Sequence, residues 1–160
     1  MPVATSKVPN RREVHYTTLQ DVLADAGRLT HGGFNTLGNW SAGQIFLHLA
    51  RSMNDSIDGS DMRLPWYLKL LGPLLKKKLL GGPMAPGVML PESVAKVTVP
   101  GPTTTEEGMA ALRSAIARLE SESKRAPSPF LGAMTKEEWN RLHLNHSALH
   151  MSFLVSHNQG

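Results

Sequence analysis

Four of the chain's seven histidines fall between Trp139 and His157, in the run W-N-R-L-H-L-N-H-S-A-L-H-M-S-F-L-V-S-H. Neutral imidazole is a ligand for zinc, nickel, iron or copper, and it exchanges protons near neutral pH. Written on a helix, Trp139, His143, His146, His150, Phe153 and His157 recur at steps of three and four and form one stripe. His146 and His150 stand one turn apart, a rise of about 6 Å, so both rings can reach a single ion, whereas histidines seven apart are separated by about 10.5 Å. His143 with His146 is a competing pair, because an i, i+3 arrangement also chelates.

A third ligand must come from another element. His48 lies on the apolar stripe of an earlier segment with Ile45, Leu49 and Met53, and facing helices are where helical cores place their metal ligands. Three nitrogens from His48, His146 and His150 would leave coordination positions for water or substrate, the pattern of a catalytic rather than a closed structural site. His143, Gln44 and Asp55 are candidates, on helical position alone, for groups that orient the ligands or move protons. A histidine on an apolar face is also a common hydrogen-bonded core residue, so spacing leaves that alternative open. His15 and His31 fall at helix boundaries and are expected to face solvent.

Two known metal chemistries are excluded by residue type. His146 and His150 have the spacing of H-E-x-x-H, but Ser147 stands where the general-base glutamate is required. Di-iron carboxylate sites need inward glutamates and E-x-x-H pairs, which these segments lack. There is no cysteine, so cysteine zinc sites, disulfides and thiol nucleophiles are absent, and any nucleophilic sulfur must come from a cosubstrate.

Helical segments must position these residues. Leu19, Val22, Leu23, Ala26 and Leu29 predict a first helix from Thr17 to about Thr30, closed by His31-Gly32-Gly33. Ser41 and Gln44 form a capping box that opens a second, stopped by Gly59. Two overlapping T-x-x-E boxes at Thr103 to Glu107 open a third, with Met109, Leu112, Ile116 and Leu119 as its core face and Lys124-Arg125 at its end. Thr135 to Glu138 is a further box, opening the histidine helix. Residues 60–102 form a long connection from the second helix to the third. Trp66 to Leu80 predicts short helical turns split at Gly72-Pro73, and the proline-rich remainder up to Pro102 reads as irregular or extended coil. Residues 1–15 read as extended or flexible. The whole predicts an all-α, single-domain four-helix bundle, whose long crossover permits up-down-down-up order.

Composition sets the remaining bounds. A chain of 160 residues, 41% hydrophobic, is long enough for one core. No apolar leader or run of about 20 apolar residues is present, so a cytoplasmic protein is expected. The net charge is +4, yet only 6% of residues are aromatic and no nucleic-acid motif occurs, so a nucleic-acid partner is not expected. Trp66 to Leu80, with Lys76, Lys77 and Lys78, has the look of an interfacial amphipathic stretch, but its proline and glycine breaks favour a brace packed over one end of the bundle rather than a membrane contact. A leucine-rich connection would also suit a homodimer interface.

Trp40-Ser41-x-Gly43-Gln44-Ile45-x-x-His48-Leu49-Ala50 and His146-x-x-x-His150 resemble the second- and fourth-helix motifs of the DinB-like (DinB/YfiT) superfamily of metalloenzymes. Leu71-Gly72-Pro73, Met84-x-Pro86-Gly87 and Leu90-Pro91 are similar to a bacterial domain-of-unknown-function branch of it, so the resemblance extends from about Tyr16 to Phe153. It implies an up-down-down-up bundle in which the three histidines hold a divalent metal, zinc or nickel. Members of known activity include thiol-dependent transferases and a maleylpyruvate isomerase that use low-molecular-weight thiols, so the expected substrate is a small molecule handled through a metal-bound thiol or water. One departure stands out: many relatives follow the last histidine with Arg-Gly-Gln or a similar polar turn, and here Met151-Ser152-Phe153 follows. That departure motivates a non-catalytic metal-binding or interaction bundle as the alternative.

Overall fold

The computed structural model describes residues 3–87 and 92–157. Its elements are mostly helical: α1 (Leu19–Gly32), β1 (Phe34–Thr36), α2 (Ala42–Asp58), α3 (Trp66–Leu70), α4 (Gly72–Gly81), α5 (Glu92–Thr98), α6 (Thr105–Ser121), α7 (Lys136–Met151) and β2 (Leu154–Ser156).

Each of the four long helices starts on a complete capping box, Thr18 with Asp21, Ser41 with Gln44, Thr104 with Glu107 and Thr135 with Glu138. In each, the hydroxyl satisfies the amide of the third helical residue and that residue's side chain returns to the cap amide, so two of the four orphan donors are paired. Of the two overlapping boxes at the third long helix, the chain uses Thr104, while the Thr103 hydroxyl donates to the Gly101 carbonyl. The first helix runs on through His31 and Gly32 and stops at Gly33, whose φ of 81° leaves the helical region. Helix α6 ends at Ser121, before Lys124-Arg125. The Arg125 guanidinium folds back onto the carbonyls of Leu119 and Glu122, capping the helix from beyond its end.

The core is formed by Val22 of α1, Phe46, Leu49, Met53 and Ile57 of α2, Leu112, Ile116 and Leu119 of α6, Met151 at the end of α7, and Leu154 of β2. Helix α2 packs most extensively on α6 and also meets α7, so its buried arc is wider than the single stripe expected for it. The N-terminal ends of α2 and α6 meet where Gly43 lies against Thr103, Thr104 and Gly108. Toward their C-termini, Arg118 of α6 reaches Asn54 and Asp58 of α2. Against α7, His48 meets His146 and Ser56 meets His143, so those two helices run in opposite directions.

Three features differ from the sequence expectation. The histidine helix stops at Met151, because Leu154–Ser156 pairs antiparallel with Phe34–Thr36. His157 therefore leaves the stripe and sits exposed beside Asn35. The two short strands add a small sheet to an otherwise helical chain. Residues Glu92–Thr98, expected as coil, form α5. Eight residues separate Pro91 from Pro100 without a further proline, enough for two turns that bury Val94. Leu90 and Pro91 of the sequence motif lie outside the described residues.

The Trp66 to Leu80 segment splits into α3 and α4 at Leu71, as the Gly72-Pro73 step requires. Helix α4 docks on α7 through Lys76 to Glu138, 2.8 Å, and through the Asn145 amide donating to the Leu79 carbonyl. The N-terminal segment is tied down by Arg12, whose guanidinium pairs with Asp25 of α1 and donates to the carbonyls of Met151 and Leu154. Among the described residues, no helix is long and apolar enough to cross a membrane.

Candidate metal centre

Helix α7 presents His146 and His150 one turn apart, and α2 brings His48 to the same point from the opposite side. The Nε2 atoms of His48 and His146 are 3.1 Å apart, as are those of His146 and His150. One ring nitrogen from each of the three lies within 4.8 Å of the other two, and this trio is the group of metal-ligating side chains that converges among the described residues. All three residues are half-buried, at the margin of the core.

The tautomer of His48 follows from its other nitrogen. Nδ1 lies 3.0 Å from the Thr98 carbonyl, which can only accept, so Nδ1 carries the proton and Nε2 presents a lone pair. Each imidazole nitrogen holds either one proton or one lone pair, so a proton on His146 Nε2 satisfies only one of its two nitrogen neighbours. A cation among the three satisfies all of them. Nitrogens about 2.0–2.1 Å from a tetrahedral zinc stand about 3.3 Å apart, and about 2.9 Å apart at right angles, so the two spacings of 3.1 Å fit either geometry.

The electrostatics favour the neutral, ligating form. Burial lowers the His48 pKa, and the nearby Arg51 charge adds to this against the opposing Thr98 bond. Burial lowers His146 well below the ordinary range, with repulsion from its histidine neighbours adding to it. His150 is pushed down to about 3, again chiefly by burial and then by His48.

Trp40 completes the site. Its ring stacks on His150, with centroids 5.3 Å apart and planes 3° from parallel, and tilts against His48 at 4.9 Å. Two groups that build the site are thus hard to find in the sequence. Trp40 directly precedes the Ser41 cap, where an apolar residue reads as a helix staple. Thr98 acts through its backbone carbonyl, which leaves no side-chain signature.

The other sequence candidates lie elsewhere. His143 is fully buried and stacked on Trp139, with Nε2 2.9 Å from the Ser56 hydroxyl, and it stays outside the converging trio. Gln44 is consumed by the α2 cap and donates to the Pro100 carbonyl, which ties the connection to the start of α2. Asp55 is exposed two turns from His48. Of the departing Met151-Ser152-Phe153, Met151 is buried, the Ser152 hydroxyl bonds Leu149 and Arg11, and Phe153 lies under the Arg11 guanidinium. His15 and His31 are exposed.

Comparison with curated proteins and with solved structures finds no match. Residues 8–157, nearly the whole chain, match one protein family, and the chain therefore belongs to the family described as a protein of unknown function, DUF1569.

Proposed function

We propose that this chain is a mononuclear metal-dependent enzyme of the DinB-like type, with His48, His146 and His150 holding one divalent ion, zinc or nickel. The observation that carries the reading is the convergence of three Nε2 atoms, one of them turned to its lone pair by the Thr98 carbonyl. The associated architecture is a four-helix bundle in up-down-down-up order. Its support is the meeting of the α2 and α6 N-termini at Gly43 and Gly108, the meeting of their C-terminal halves at Asp58 and Arg118, and the opposed run of α2 and α7.

When bound, such an ion supplies Lewis acidity toward a thiol or a water. The chain's own residues do the rest. Thr98 fixes the His48 ring, Trp40 fixes His150 by stacking, and burial keeps all three imidazoles neutral, each with one nitrogen free to ligate. With no cysteine in the chain, a reacting sulfur belongs to a low-molecular-weight thiol cosubstrate, and the reaction class is transfer or isomerisation of a small electrophile.

Metal analysis of the purified protein tests the site. Loaded with zinc or nickel, the parent is expected to hold one ion per chain, and His48→Ala and His146→Ala are expected to lose it, while His143→Ala keeps it. Unchanged metal content in both ligand variants would sink the proposal. A second reading, a metal-binding bundle without catalysis, is favoured by Met151-Ser152-Phe153, whose side chains are engaged in packing and in contacts with Arg11. Thiol-transfer assays on metal-loaded protein separate the two.

A further inference from the structure

The segment from Met62 to Pro91 contains no acidic residue and five cations, Arg63, Lys69, Lys76, Lys77 and Lys78. The other 130 residues hold 12 cations against 13 acids, so the whole net positive charge of the chain resides here. Among the described residues, the same segment carries the most exposed large apolar side chains: Trp66 is 73% exposed, Leu70 70% and Leu74 71%, with Tyr67 and Leu71 beside them.

Helix α4 has two faces. The inner one is anchored by Lys76 to Glu138, by Asn145 on the Leu79 carbonyl, and by the close fit of Gly72 under the Phe130 carbonyl. The outer one carries Leu74, followed at helical spacing by Lys77 and Lys78, and Leu70 of α3 and Leu71 at the break extend the exposed apolar surface beside it. A shallow hollow of about 520 Å³ lies between Leu74, Lys77, Lys78, Gly81 and Gly82. Among the described residues, no carboxylate pairs with Arg63, Lys69, Lys77 or Lys78. The segment is thus a brace on one side and, on the other, an apolar ridge flanked by unopposed cations.

We propose that this outer face docks on an anionic lipid surface. Trp66 and Tyr67 have the amphipathic rings suited to the headgroup boundary, the leucines supply apolar area, and the lysine stems lie along that area with their charges toward the phosphates. An acidic protein would answer the charge but leave the width of the apolar ridge unexplained.

The test is co-sedimentation of the full chain with vesicles of phosphatidylcholine alone and of phosphatidylcholine with phosphatidylserine. Binding is expected to the anionic vesicles only, and to weaken as salt is raised. Lys77→Gln with Lys78→Gln should weaken it about 30-fold, at about fivefold per lysine. Leu70→Ser with Leu74→Ser should abolish it with the helical circular dichroism unchanged, because neither side chain serves the inner face. No binding to anionic vesicles at low salt, or equal binding to both vesicles, would overturn the proposal. So would a dimer in light scattering that the leucine substitutions dissolve, since a second copy of the chain would then be the occupant.

Discussion

The Nδ1 atom of His48 lies 3.0 Å from the carbonyl oxygen of Thr98, fifty positions further along the chain. That contact turns a histidine on α2 into a directed donor, and the group responsible is the last residue of the short helix α5. Helix α5 is held by Val94, which is buried. Val94→Asp is therefore expected to dislodge α5, free the His48 ring and lower metal affinity about 10- to 100-fold while one ion per chain still binds at saturation. Competition against a chromophoric chelator measures this; affinity equal to the parent's would show that the Thr98 contact does not prepare the ligand.

Trp40 offers an optical report on the same site. Its ring is in contact with two of the three histidines, whereas Trp66 lies on α3 and Trp139 stacks on His143. Open-shell nickel quenches indole emission at contact range, so titration with nickel should quench tryptophan fluorescence at one equivalent. Trp40→Phe should remove most of that quenching and Trp66→Phe should leave it. Equal quenching in both variants would place the ion away from His150.

The division between what was readable in the sequence and what was not has a physical basis. Capping boxes and three-four spacing are local, so all four long helices and the Leu71 break could be located from short windows. The His146 and His150 pair is equally local, and His48 was singled out because it interrupts an apolar stripe. The strand pair between Phe34–Thr36 and Leu154–Ser156 joins segments more than a hundred residues apart with three residues each, too short for a period to register. Helix α5 was hidden by the prolines around it. Gln44 shows the opposite error: a polar residue one turn from His48 suggests a proton-transfer role, but the cap already engages its carbonyl and Pro100 its amide.

His143 predicts a pH dependence. Its Nε2 donates to the Ser56 hydroxyl, which itself donates to the Met53 carbonyl, so Nε2 carries a proton. Burial, with the charge of Arg125 adding to it, pushes its pKa down to about 3. An unfolded histidine titrates near about 6.5. Between these values the unfolded chain binds a proton that the folded chain refuses, so stability is full above the unfolded value and falls as pH drops toward the folded one. The slope for this group is up to about 1.4 kcal/mol per pH unit. Urea unfolding of metal-free protein across that window should show a steeper loss for the parent than for His143→Gln, by one proton. Coincident slopes would mean that His143 is charged in the folded state.

Gly43 predicts a reversal of the usual helix rule. In an exposed helix, replacing glycine by alanine gains roughly 0.5–1 kcal/mol, because alanine loses less backbone freedom on folding. A Cβ on Gly43 would stand 2.3 Å from the carbonyl oxygens of both Thr103 and Thr104, and one on Gly108 would stand 2.4 Å from the Gly43 carbonyl. Backbone lies on both sides of this crossing, so no side chain can rotate away and the starts of α2 and α6 must separate. Gly43→Ala is expected to destabilise by about 1–3 kcal/mol, the range for overpacked cores. Gly27 on α1 is the control: nothing lies within 4 Å of its Cβ position, so Gly27→Ala should stabilise. His48 sits little more than one turn beyond Gly43, so the same substitution should also weaken metal binding, which Gly27→Ala leaves alone. Urea unfolding together with chelator competition on the two variants gives both readouts; a stabilised Gly43→Ala would mean that the close approach of α2 and α6 is not what holds the first turn of the His48 helix in place.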